Sequence, residues 1–231
     1  MARAPVGRSR LYDDLVAHLD PARPAVMVVV GAPGSGRSYL LEHLRGAAVE
    51  LGYRFMGVDE ELVVDRTTTL TDVWRVVRAL GRPEAAATDL AASPASMSDS
   101  DIEEEVLVEL RSAAPILLAV EGYSPHPTLD DWIVHHLIAR LRGDRVPVVL
   151  VIAGTEEAVA GVRQVADVSV ELGRLDVDEI VGFLGDSARG VRPPLDEEEL
   201  RAYAEEAAHH PPYVWAFADV FACLGESRGT A

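Results

Sequence analysis

The chain has 231 residues, nearly half of them hydrophobic, and a formal net charge of −17. That length suits one sizeable domain, or a domain with a small appendage, and the acidic balance makes nucleic acid an unlikely partner. The longest apolar runs, near 115–120 and 146–153, are too short to cross a bilayer, and no charged-then-apolar leader opens the chain, which points to the cytoplasm. All 21 basic residues are arginine, and lysine and asparagine are both missing. Adenine-poor codon usage explains this simply. The single Cys223 lies in an apolar helical pattern and reads as a buried packing residue.

Taken in order, Leu11, Leu15 and Leu19 give a first helical face, ended by Pro21 and Pro24. Val26-Met27-Val28-Val29-Val30 then reads as a buried strand. It runs into Gly31-Ala32-Pro33-Gly34-Ser35-Gly36-Arg37-Ser38-Tyr39, and a helix begins at about Arg37 with Leu40, Leu41, Leu44 and Leu51 on one face. This is the phosphate-binding loop pattern with arginine in the lysine position. Glycines at 31, 34 and 36 let successive N–H groups turn inward on an anion, and the helix N-terminus adds unpaired donors. Ser38 is placed to offer its hydroxyl to a magnesium ion on the phosphates.

Tyr53 to Asp59 reads as a second strand, and Thr69 to Leu80 as a helix with Trp74 in its core. Residues 82–100 read as a surface connection rich in Ala, Ser and Pro. Asp101 to Ser112 is an acidic helix with Ile102, Val106 and Leu110 inward. Pro115 to Glu121 is an apolar run ending in a carboxylate, as expected of a strand buried on both faces of a parallel sheet. His126 lies in the loop that follows, and Asp130 reads as the cap of a helix over Trp132–Leu141. Val146 to Ala153 and Val168 to Leu172 complete a set of strands separated by helical patterns, the signature of a parallel α/β sheet. Asp176 with Glu179, and Asp196 with Glu199, have capping-box spacing and open two further helices. A last helix follows His209-His210-Pro211, and these histidines read as structural.

Val6-Gly7-Arg8, the phosphate loop, the apolar run into Glu121 and the C-terminal helices together resemble the AAA-type P-loop ATPases, in particular the STAND and origin-recognition-like groups. The resemblance covers about residues 5–224. It implies a three-layer α/β/α nucleotide-binding domain over 1–173, with a small helical lid over 174–231. It implies ATP or ADP with magnesium as cofactors, held by the 31–39 loop, with Val6, Gly7 and Arg8 beside the base. Thr155 takes the sensor position, Pro211 packs near the nucleotide, and Ser38 and Glu121 serve the metal. Arg37 and Glu121 are the candidate catalytic residues. The pattern departs from the family at Gly122, where a second acid would orient water as general base. Three readings stay open: an ATP-binding switch with weak or absent hydrolysis, a pseudo-ATPase interaction module, and an active ATPase or small-molecule kinase. No effector segment is legible, so the chain is either a fragment or acts with a separate protein partner or through self-association.

Overall fold

The computed structural model describes residues 5–58, 98–124, 131–191 and 193–226. Strands β1 (Ala25–Val30), β2 (Arg54–Val58), β3 (Ile116–Tyr123), β4 (Val148–Gly154) and β5 (Val168–Glu171) pair in parallel. Their order in the sheet is β2-β3-β4-β1-β5. Helices α1 (Ser9–Val16) and α2 (Arg37–Glu50) cover one face. The other carries α3 (Asp99–Ala113), α4 (Trp132–Leu137, continuing through Ile138–Gly143) and α5 (Glu156–Arg163). Three more helices follow: α6 (Val177–Ser187), α7 (Glu197–His209) and α8 (Pro211–Glu226).

The apolar runs are continuous because both faces of the sheet are covered. Met27 and Val29 of β1, with Leu117, Val149 and Val151, pack beneath Leu15, Leu40 and Leu44. The alternate residues Val26, Val28 and Val30, with Ile116, Leu118, Leu150 and Ile152, meet Ile102, Val106, Leu110, Ile138 and Val159. Each such side chain contributes about 1.5–3 kcal/mol by leaving water. A third core, centred on Ile180, Leu184, Ala204, Ala207, Val214 and Phe221, belongs to α6, α7 and α8.

The order of the strands positions the site. After β1 the chain travels through α2 toward β2 at one edge, whereas after β4 it travels through α5 to β5 at the opposite edge. β1 and β4 are neighbours, so their connections diverge and a crevice opens at their C-terminal ends, where ligands bind in open α/β sheets.

Several expectations are revised. Cys223 is exposed; Val214, Ala218 and Phe221 set the inward face of α8, and residue 223 falls off it. Leu51 lies one residue past the end of α2 and is exposed. The helix expected over Trp132–Leu141 is π-wound over Trp132–Leu137. Its five-residue spacings, Trp132 to Leu137 and Ile133 to Ile138, match i→i+5 winding, and all four side chains are buried. β3 runs two residues beyond Glu121, with a register shift between Val120 and Tyr123. Trp74, His126 and Asp130, and the helix read over Thr69–Leu80, lie outside the described residues. No helix among the described residues is long and apolar enough to cross a membrane.

Candidate functional site

The loop from Gly31 to Ser38 leaves β1 at the crevice. Gly31 N–H donates to Gly154 O at 2.9 Å, tying the loop's first residue to the end of β4. Ser35 N–H donates to Ala32 O at 3.1 Å, and Gly34 and Gly36 take φ of +80° and +89°. L side chains disfavour that region. Gly36 is the N-cap of α2 and supplies no side chain to the helix's first amides. The N–H groups of Gly34, Gly36, Arg37 and Ser38 therefore meet no acceptor among the described residues. Ser35 Oγ is likewise buried without a hydrogen-bond partner. Free donors at the head of a 14-residue helix form a cradle for an anion.

Ser38 Oγ donates to Glu121 Oε1 at 2.5 Å, joining the first turn of α2 to the end of β3. Hydroxyl and carboxylate are oxygen ligands of the kind that magnesium takes. The donor set and the open cradle thus fit a metal-bound phosphate tail. The neighbouring Gly122 has φ of +69°. Glycine adopts that left-handed region freely whereas residues with a Cβ disfavour it, so the residue that lacks the carboxylate also suits the local path of the chain.

A cavity of 440 Å³ lies over this loop, lined by Pro33, Gly34, Gly36, Arg37, Ser38, Tyr39 and Glu121 on the sheet side and by Pro211, Pro212 and Trp215 of α8. It is polar at the loop and aromatic at the far end. Tyr39 meets Trp215 edge-on at 5.6 Å, and Trp215 meets Phe183 at 5.0 Å. A Cβ on Gly36 would lie 3.6 Å from Pro211. A second cavity, of 370 Å³, lies on the other side of Arg37 and is lined by Gly122, Tyr123, Ser124, Thr155, Glu157 and Ala158. Arg37 makes no hydrogen bond or ion pair among the described residues and borders both spaces without closing either.

The expected site residues fall into two groups. Residues 31–39, Glu121 and Pro211 gather at the crevice; Ala32 is exposed, and Gly31 is buried beneath the loop. Thr155 caps α5, its Oγ1 accepting Ala158 N–H at 3.4 Å. It borders the second cavity, with its hydroxyl hydrogen left to donate there. Val6, Gly7 and Arg8 do not line the first cavity. Val6 packs on the α6–α8 core and donates its N–H to Tyr39 OH at 3.3 Å. Gly7 N–H goes to Glu179 Oε2 at 3.0 Å. Arg8 turns into the protein and is only 5% exposed, and burial lowers its pKa from the ordinary guanidinium value.

Trp215 and Pro212 also line the cavity, and the signal in the sequence is the four-residue step from Pro211 to Trp215, which puts those two on one helical face. The sequence marks Glu179 only as half of a capping box. Asp176 does cap α6, accepting Glu179 N–H at 3.0 Å. The Glu179 carboxylate instead crosses to Gly7 N–H and to Ser9, whose Oγ donates at 2.7 Å. Asp176 N–H is satisfied by Gly7 O at 3.1 Å.

No protein-family model matches the sequence, and no curated protein matches it. Solved structures do. Domain III of the Thermotoga maritima replication initiation protein DnaA superposes with a TM-score of 0.52 at 15% identity, over 100% of this chain and 88% of that one. A DNA replication initiation factor gives 0.51 at 13% identity, over 95% and 61%. Drosophila ORC bound to DNA gives 0.50 at 12% identity, over 100% and 58%. The chain thus spans about three fifths of the latter two. The chain shares the three-layer α/β fold of these AAA-type P-loop structures. The Drosophila complex also corrects the expectation that nucleic acid is an unlikely partner. Net charge sums over a whole surface, while nucleic acid is held by whichever local donors face it, so −17 does not exclude such a partner.

Proposed function

We propose that this chain is an ATP-binding regulatory domain of the STAND or origin-recognition-like type, a switch whose hydrolysis is slow or absent. The observation that carries this reading is the conjunction at one crevice of unpaired loop N–H groups, the Ser38–Glu121 hydrogen bond and a helix from the C-terminal unit. Residues 1–173 act as the nucleotide-binding domain and 174–231 as its lid. The N–H groups of Gly34, Gly36, Arg37 and Ser38 donate to phosphate oxygens, Arg37 adds its charge, and Ser38 with Glu121 would hold magnesium. Bound there, the metal supplies charge neutralisation on the phosphates. The apolar end, at Tyr39, Pro211 and Trp215, takes the base. One cavity wall belongs to α8, so its occupant favours one lid position, and the surface offered to a protein partner or a second copy changes with it.

Slow hydrolysis follows from two features of the chain. Gly122 has no group to accept a proton from water, and the guanidinium of Arg37 is broader than an ammonium and reaches the phosphates differently. A misplacement of about 1 Å costs roughly a hundredfold in rate. Arg37→Lys is therefore expected to raise phosphate release only slightly while Gly122 remains, measured by steady-state phosphate assay. A large recovery would make Arg37 the sole lesion. Steady release from the unaltered chain that Glu121→Gln abolishes would replace the switch by an active ATPase.

A further inference from the structure

We propose that Arg8 is a positioning residue that couples the phosphate loop to the hinge of the lid. Its guanidinium reaches three backbone carbonyls from two separate parts of the chain. Nη2 donates to Ser35 O, in the loop, at 3.2 Å and to Gly173 O at 2.6 Å; Nη1 donates to Arg174 O at 3.4 Å. Gly173 and Arg174 lie between β5, the last strand of the sheet, and α6, the first helix of the C-terminal unit. One rigid, planar group thus holds the peptide whose neighbours form the cradle and the peptides about which the lid turns.

Two features show that this arrangement is more than packing. First, Arg8 is buried and no carboxylate meets it among the described residues. A buried cation satisfied only by carbonyl dipoles is costly, a cost that packing alone does not call for. Second, the residues on either side of Arg8 are fastened to the lid. Gly7 N–H, Ser9 N–H and Ser9 Oγ all donate to Glu179 Oε2 of α6, at 3.0, 3.4 and 2.7 Å. Gly7, at φ +73°, lies so close that a Cβ there would sit 2.9 Å from Leu175 Cβ. A shift of the Ser35 peptide is therefore passed by Arg8 to the hinge and by Glu179 to α6. Lysine keeps the charge but cannot span three acceptors with a fixed fork.

This inference rests on the ATP reading and is tested so that the two fail differently. Hydrogen exchange is followed in the full chain with and without magnesium and ATP. In the unaltered protein, amides of residues 5–9, of the loop and of α6 to α8 all gain protection. The lid's gain is expected to be at least about fivefold, the lower end of typical site-to-site coupling. In Arg8→Lys and Arg8→Gln the loop keeps its gain and the lid loses most of its own. A lid gain in either variant equal to that of the unaltered chain overturns the coupling role, as does loss of the loop's gain in a variant that melts normally. If both variants fail to fold, the unaltered chain still decides, because protection of the loop without residues 5–9 and the lid contradicts the coupling. No gain anywhere, with no heat on titration, removes the nucleotide reading itself.

Discussion

Gly31→Ala is expected to weaken ATP binding by at least about tenfold, equivalent to about 1.4 kcal/mol, and to lower stability by about 1–3 kcal/mol, the range for overpacked sites. A Cβ at position 31 would lie inside van der Waals contact with Ser35 Oγ and 3.1 Å from Leu172 Cβ. Leu172 is buried just after β5, with its N–H donated to Val30 O at 2.7 Å, so it cannot retreat cheaply. Ser35 can retreat, but doing so reshapes the loop. The double variant Gly31→Ala/Ser35→Ala removes the obstructing hydroxyl and is expected to regain part of the lost affinity. Calorimetric titration with melting curves checks both. Unimpaired binding by Gly31→Ala would show that the Ser35 turn is not what holds the phosphates.

Leu184→Ala is expected to cost about 2–5 kcal/mol, as for other fully buried leucines, and to do so locally. Leu184 is completely buried in the core of α6, α7 and α8, apart from the two cores that flank the sheet. If residues 174–231 form a lid that opens by itself, amides of α6 to α8 lose protection while those of β1, β3 and β4 keep theirs. Native-state hydrogen exchange reads this directly. An equal loss of protection in the sheet would make the chain one cooperative unit and rule out an independently moving lid.

The sheet and the loop were legible in the sequence because their signals are local. A strand covered on both faces must be apolar at every position, so Val26–Val30 and Val148–Ala153 stand out unaided. The loop's glycines are needed where φ turns positive, at Gly34 and Gly36. The capping box of α7 closes as its spacing predicts, because both partners lie within four residues. What stayed illegible depends on distant partners. Glu179 has the same local spacing as Glu199, yet its carboxylate goes to residues about 170 positions away. Arg8 is placed beside the base by resemblance alone, and its three carbonyl partners, two of them more than 160 residues distant, leave no mark in the local sequence. Gly122 read as a substitution and proves to be a turn in the strand, set by the register shift of β3 on β4. The exposure of Cys223 depends on which face of α8 packs into the core it shares with α6 and α7.

On the proposed reading, the amides of residues 31–38 hold a polyphosphate tail although arginine stands where an ammonium is usual. Calorimetric titration of the full chain with magnesium and ATP tests it most directly. Measurable heat is expected, and it disappears in a Ser35/Arg37/Ser38 triple-alanine variant of unchanged fold. No heat and no thermal shift at millimolar ATP, or equal heat from the triple variant, would contradict it and leave a fold retained for protein interaction alone.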